Sequence, residues 1–143
     1  MVPMRPWQLA VVVVACGAAA LVAVRATGSR AGHGPERTVV VTMHHSRFEP
    51  STIRVEPGQR VRFMLRNTDP IDHEFILGDE EVQRVHEDGT EAHHPPRPGE
   101  VSVPAGETVV TTYTFPQTPG ALIFGCHLPG HYDFGMRGSV TID

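Results

Sequence analysis

From residue 37 onward, apolar side chains fall at alternate positions, and Pro, Gly, Asn and Asp cut the runs short. A period of two belongs to half-buried strands rather than to helices. Residues 38–43 are a β-branched run. Ile53 and Val55 alternate with polar residues, and Pro57-Gly58 is a turn signal. Val61, Phe63 and Leu65 face opposite to Arg62, Met64 and Arg66. After a second turn at residues 67–70, His73, Phe75 and Leu77 share one face. Short strands follow at 101–103, at 108–115 (Val109, Thr111, Tyr113 and Phe115 together), at 121–124 and at 139–142. Seven or eight short strands, evenly spaced, predict an all-β fold built as a β-sandwich. Residues 79–99 break the pattern. Asp79, Glu80 and Glu81 suit the start of a short helix that Gly89 would stop, with Val82, Val85 and His86 on one face. Residues 91–98 read as an irregular loop.

A chain of 143 residues allows one domain. Residues 7–24 are apolar apart from Gln8, with Arg5 before them and Arg25 and Arg30 after. That length is the lower limit for a spanning helix and slightly long for a signal-peptide core. Three readings stay open: an uncleaved N-terminal hydrophobic helix serving as a membrane anchor, a signal peptide cleaved before Thr27, and lipidation at Cys16. Each places the rest of the chain outside the cytoplasm, in the periplasm or on the outer face of the membrane. The expected organisation is 1–30 as signal or anchor, 31–36 as a polar linker, and 37–143 as the folded domain. The net charge of −4, with one Trp and two Tyr, offers no basic or stacking surface for nucleic acid.

Nine His in so short a chain direct attention to metal. Cys16 lies in the apolar segment, so Cys126 is the domain's lone cysteine and has no disulfide partner within it. A lone thiol in an oxidising compartment is a hazard unless something holds it. Residues 126–136 read CHLPGHYDFGM, which spaces Cys126, His131 and Met136 as C-x4-H-x4-M. Thiolate, imidazole and thioether together suit copper, and two His, one Cys and a distant axial Met make the blue-copper arrangement. Zinc seldom takes a thioether, so Met136 argues against it. The missing His must come from another strand. His73 is the candidate, because it follows a turn and begins a strand whose next inward residues are Phe75 and Leu77.

Phe48-x-Pro50-x-x-Ile53, Pro57-Gly58, Val61-x-Phe63, Asn67, His73 and the 126–136 loop together resemble the cupredoxins, the family of plastocyanin, azurin and auracyanin. The resemblance covers residues 37–143. It implies a Greek-key β-sandwich and one type 1 copper per chain, held by His73, Cys126, His131 and, more weakly, Met136. Three departures stand out: a longer loop than plastocyanin's, His127 directly after the cysteine, and the acidic, His-bearing insertion at 79–99. The last two resemble periplasmic cupredoxins tied to copper resistance. His beside the metal-binding Cys also occurs in multicopper oxidases, but this chain has Gly125 before the Cys and no His-x-His pair. His127 is therefore expected as a partly exposed loop residue. His44, His45, His86, His93 and His94 are expected on the surface, with a weak second copper or zinc at His86, His93 and His94 as the functional alternative. The expected role is one-electron carriage, which needs no acid–base pair and hence no enzyme chemistry. The rival is binding, buffering or delivering copper. A redox partner docking near His131, or a copper-handling partner, would meet a monomer.

Overall fold

The computed structural model describes residues 36–89 and 95–143. The expected N-terminal helix, the expected cleavage and lipidation sites, and His93 and His94 lie outside the described residues. Strands β1 (Arg37–Met43), β2 (Phe48–Glu49), β3 (Thr52–Val55), β4 (Arg60–Asn67) and β5 (His73–Gly78) precede one helix, α1 (Glu80–Gly89). Then come β6 (Glu100–Val103), β7 (Thr108–Thr114), β8 (Gly120–Gly125) and β9 (Arg137–Ile142). They form two sheets, ordered β2-β1-β4-β7 and β3-β9-β8-β5-β6. The sandwich read from the alternation is the observed fold.

Two pairings are parallel. β1 runs beside β4, with Val39 opposite Phe63, and β3 runs beside β9, with Ile53 opposite Val140. Parallel neighbours cannot be joined by a tight hairpin. The chain turns back from β1 into β2 in the same sheet, crosses to the other sheet after β2 and returns after β3, which ties the two layers together. Val39, Val41, Val61, Phe63 and Leu65 of one sheet meet Phe75, Leu77, Phe124, Val140 and Ile142 of the other in a single core. Phe48 lies edge-on to Phe75 and to Phe124, at centroid distances of 6.0 and 5.2 Å, and joins the same core.

α1 forms where the acidic run predicted it. Asp79 Oδ1 accepts a hydrogen bond from the Val82 amide at 3.0 Å, which caps the first turn. Of the three residues grouped on one face, Val82 and His86 are half-buried. Val85 is exposed and Gln83 is buried. The helix lies over β5 and β8, where the Ile76 and Ile123 carbonyls need donors. Gln83 Nε2 donates to both at 3.1 Å, so a side chain with two amide hydrogens wins the position over valine. The same packing buries both faces of β5, Glu74 and Ile76 included. Among the described residues no helix is long and apolar enough to cross a membrane.

Candidate metal centre

Cys126 leaves the end of β8, and the chain folds back on itself before β9 begins. Two glycines make the reversal possible. Gly130 (φ 81°) and Gly135 (φ 93°) adopt left-handed backbone that side chains rarely tolerate. The amide of His131 donates to Leu128 O and that of Met136 to His131 O, both at 2.9 Å. Cys126 N donates to Met136 O at 3.1 Å, so the loop's two ends are pinned together. His73 reaches the same point from the start of β5.

Three donor atoms converge. Cys126 Sγ lies 3.2 Å from His131 Nδ1 and 4.0 Å from His73 Nδ1, and the two Nδ1 atoms are 3.3 Å apart. His73, Cys126 and His131 form the one such His/Cys/carboxylate group among the described residues. Two imidazole nitrogens facing each other across a thiol sulfur suit a shared cation, and this donor chemistry fits copper. His73, Cys126 and Met136 are fully buried and His131 is half-buried, so the imidazole of His131 is the way from the centre to solvent. Met136 sits at the loop's end with its backbone bonded to Cys126 and His131. Pro70, Ile71, Asp72, Leu128 and Pro129 line a shallow depression with His131, and Ile71 is exposed there; Phe134, on the same loop as His131, is also exposed.

The electrostatics favour a cation. Burial pushes the Cys126 thiol up to about 11, although hydrogen bonds from the Glu74 and Leu128 amides pull the other way. The sulfur therefore becomes a thiolate at neutral pH only where a cation takes the place of its proton. Burial, with His73 second, holds His131 below the ordinary histidine value, which keeps its nitrogen lone pair available.

Asp69 is a functional residue that the sequence reading passed over as part of a turn. Its Oδ2 lies 2.8 Å from His73 Nε2, so Nε2 carries the proton and Nδ1 presents its lone pair to the centre. Burial alone would raise this carboxyl. The amide of Ser46, the His73 ring and the amide of His45 outweigh burial and bring it to about 2. An Asp four residues before a candidate His ligand was the available signal, but in a turn that separation promises no contact. Asp69→Asn keeps the shape and removes the charge. The copper-loaded variant is expected to keep its visible spectrum and show a higher midpoint potential, because less negative charge near the metal favours the reduced state. Spectroelectrochemical titration decides it, and an unchanged potential would remove the carboxylate from any part in tuning the site.

His127 does not stand partly exposed as expected. It is buried beneath α1, with Nε2 2.8 Å from Gln83 Oε1 and its ring stacked on Tyr132 at 4.5 Å. Burial, and then nearby His86, push it down to about 4, so it is neutral. The helix that the insertion builds supplies both the cover and the hydrogen-bond partner. His127 N also approaches Glu74 Oε2, at 3.3 Å. His86 is half-buried rather than solvated, with Nε2 3.4 Å from Glu100 Oε2. His44 and His45 are at the surface, as expected.

Comparison with known proteins agrees with this architecture. The chain is 37% identical over 111 residues to the copper-resistant cuproprotein CopI of Rubrivivax gelatinosus, covering 75% of this chain and 67% of that one. It is 29% identical over 138 residues to the protein of the same name from Pseudomonas aeruginosa, covering 74% and 76%. In fold it is similar to auracyanin B, with a TM-score of 0.63, 23% identity, and 78% and 92% of the two chains covered. Auracyanin A of Chloroflexus aurantiacus gives a TM-score of 0.59 at 22% identity, covering 76% and 99%. The family description "Cupredoxin-like domain" matches residues 13–141. With the two-sheet sandwich and the convergent His73, Cys126 and His131, that match makes this chain a member of the cupredoxin family.

Proposed function

We propose that this chain binds one copper ion through His73 Nδ1, Cys126 Sγ and His131 Nδ1, with Met136 as a weaker axial ligand, and exchanges single electrons there. The observation that carries the reading is the convergence of the three donor atoms within 4.0 Å of one another in a closed core. Copper held there supplies one electron gained or lost without bond making at a substrate. The residues do the rest. Asp69 orients His73, the Glu74 amide donates to Cys126 Sγ at 3.3 Å, and the paired loop ends hold Met136. Ligands fixed in this way move little between oxidation states, which keeps reorganisation small. One-electron carriage asks for no acid–base pair, and carriage rather than enzyme chemistry is the role proposed. Ile71, Leu128, Pro129 and Phe134 around His131 form an apolar rim where a redox partner would dock and electrons would leave.

A second reading has its own support. The two curated relatives described above are named copper-resistant cuproproteins. On that reading the chain binds or delivers copper outside the cytoplasm, where the apolar N-terminal segment of the sequence would send it as an exported or anchored monomer. A weak second copper or zinc at His86 and its neighbours in the insertion belongs to this reading. The two readings share one centre and differ in whether copper leaves it.

Replacing Met136 by leucine tests the centre and separates the roles. Copper is expected to stay bound and the midpoint potential to rise, since losing the thioether disfavours Cu(II) more than Cu(I). An unchanged potential would mean that Met136 is not a ligand. In the parent protein, challenge with a strong chelator supports carriage if copper stays bound while the couple cycles reversibly. Loss of copper within minutes supports handling.

A further inference from the structure

β1 and β2 are joined by a two-residue hairpin turn, in which His44 and Arg47 exchange backbone hydrogen bonds at 3.0 and 3.1 Å. His45 and Ser46 both have φ of 52°, the left-handed backbone that such a turn requires at its two central residues. Asp69 ties the turn to the body of the sandwich. The amide of His45 donates to Asp69 Oδ1 at 2.7 Å and that of Ser46 to Oδ2 at 2.8 Å. With its backbone drawn inward in this way, the turn leaves the two imidazoles outside, stacked with ring centroids 3.8 Å apart.

The oxygens of Asp69 are not equally used. Oδ2 takes the Ser46 amide and the His73 ring, which fills both its lone pairs. Oδ1 takes the His45 amide alone. His44 Nδ1 lies 3.8 Å from that oxygen, too far for a hydrogen bond and close enough for both atoms to bind one ion after a small rotation of an exposed ring. His44 Nδ1 also sits 3.0 Å from Thr68 Oγ1, whose hydroxyl can donate to Met43 O at 2.9 Å instead. A cation at Nδ1 therefore strands no donor.

We propose that His44 Nδ1 and Asp69 Oδ1, joined by His45 once its exposed ring turns toward them, form a second, surface site for a borderline divalent cation, Cu(II) or Zn(II), coupled to the buried centre through the Asp69–His73 hydrogen bond. Two imidazoles and one carboxylate oxygen are the donors such ions take. The coupling has a definite sign. A cation on Oδ1 draws charge away from the partner of His73 and so favours the reduced state of the buried copper. By linkage the reduced protein must bind the surface cation more tightly, by the same factor. The site differs from the one expected on the insertion. His86 belongs to α1 and faces Glu100, whereas His44 and His45 stand on the β1–β2 turn beside Asp69.

Zn(II) is the probe, because it is redox-silent. It is added to protein already loaded with copper, so that Cys126 is occupied. Equilibrium dialysis counts bound zinc, and spectroelectrochemistry reads the copper potential. The parent is expected to bind one more equivalent of zinc than the His44→Ala/His45→Ala double variant, which should keep the visible band of the parent. Zinc should also raise the parent's potential and leave the double variant's unchanged. Zinc affinity should be roughly fivefold or more higher for the reduced protein, the lower end of usual coupling between sites. The coupling rests on the type 1 reading above, whereas the zinc count does not, so the two fail separately. Equal zinc binding by parent and double variant overturns the site. So does a zinc equivalent lost instead in His86→Ala. An equivalent lost as expected but with no change in potential removes Asp69 from the ligand set, and the proposal falls with it.

Discussion

Replacing Cys126 with serine is expected to abolish the intense visible band of the Cu(II)-loaded protein. That band requires electron density shared between thiolate sulfur and copper, and a hydroxyl oxygen is a harder, weakly covalent donor. Serine is close to cysteine in size, so the fully buried position stays filled and the sandwich should fold unchanged. The Glu74 amide keeps an acceptor, since serine oxygen can take the hydrogen bond that Sγ takes now. Copper affinity should fall steeply with the band, because the sulfur is the donor that meets both imidazoles. Visible absorption after copper titration reads the result, with far-ultraviolet circular dichroism as the check on folding. A variant that folds and keeps the band would place the sulfur outside the coordination sphere and overturn the proposed centre.

The second large effect belongs to His73. His73→Gly should empty one in-plane position and lose the native visible spectrum, and added free imidazole should restore much of it. The cavity left behind is lined by the very groups that hold the native ring. Asp69 Oδ2 can accept the N–H of the incoming imidazole and turn its other nitrogen toward Cys126 and His131. Glycine at a strand start also costs some stability, roughly 0.5–1 kcal/mol relative to alanine, which a folded sandwich tolerates. His44→Gly should keep the parent spectrum, because its ring stands at the surface on the far side of Asp69. The opposite pattern, with His44→Gly losing the spectrum and His73→Gly keeping it, would put the fourth donor on the β1–β2 turn. Rescue should weaken further in a His73→Gly/Asp69→Asn double variant, since an amide offers the imidazole no charge.

Much of this was legible in the sequence. Val61, Phe63 and Leu65 alternate with polar residues because one face of β4 is buried and the other wet, and burial of that kind writes itself locally as a period of two. Cys126, His131 and Met136 were readable as a set because all three lie on one short loop, where spacing along the chain is nearly spacing in space. His73 was the harder donor to place. Its position near the loop was legible because a turn puts it at one end of the sandwich and Phe75 and Leu77 fix its face as inward. Periodicity reports which face of a strand is buried, however, and not what it is buried against. The parallel pairings of β1 with β4 and β3 with β9 left no local mark, since strand alternation looks the same whichever way the neighbour runs. The two-residue β2 is too short to show a period.

The errors share one cause. Val85 was grouped with Val82 and His86 on one face and His127 was expected partly exposed because each was judged by its own segment, and both were decided by α1 lying across β5 and β8. There Gln83 meets two strand carbonyls and His127, partners that lie 7, 40 and 44 residues away in the chain. Asp69 is the same case at shorter range. A turn brings it onto His73 and, across 23 and 24 residues, onto the amides of the β1–β2 turn. The sequence by itself determined most of the strands, their buried faces and the types of donor side chain, because those follow from residue chemistry and local period. The tertiary structure alone decided which carboxylate orients His73, what covers His127 and which turn amides Asp69 holds, because hydrogen bonds between distant segments depend on how the layers and the helix come to rest against one another.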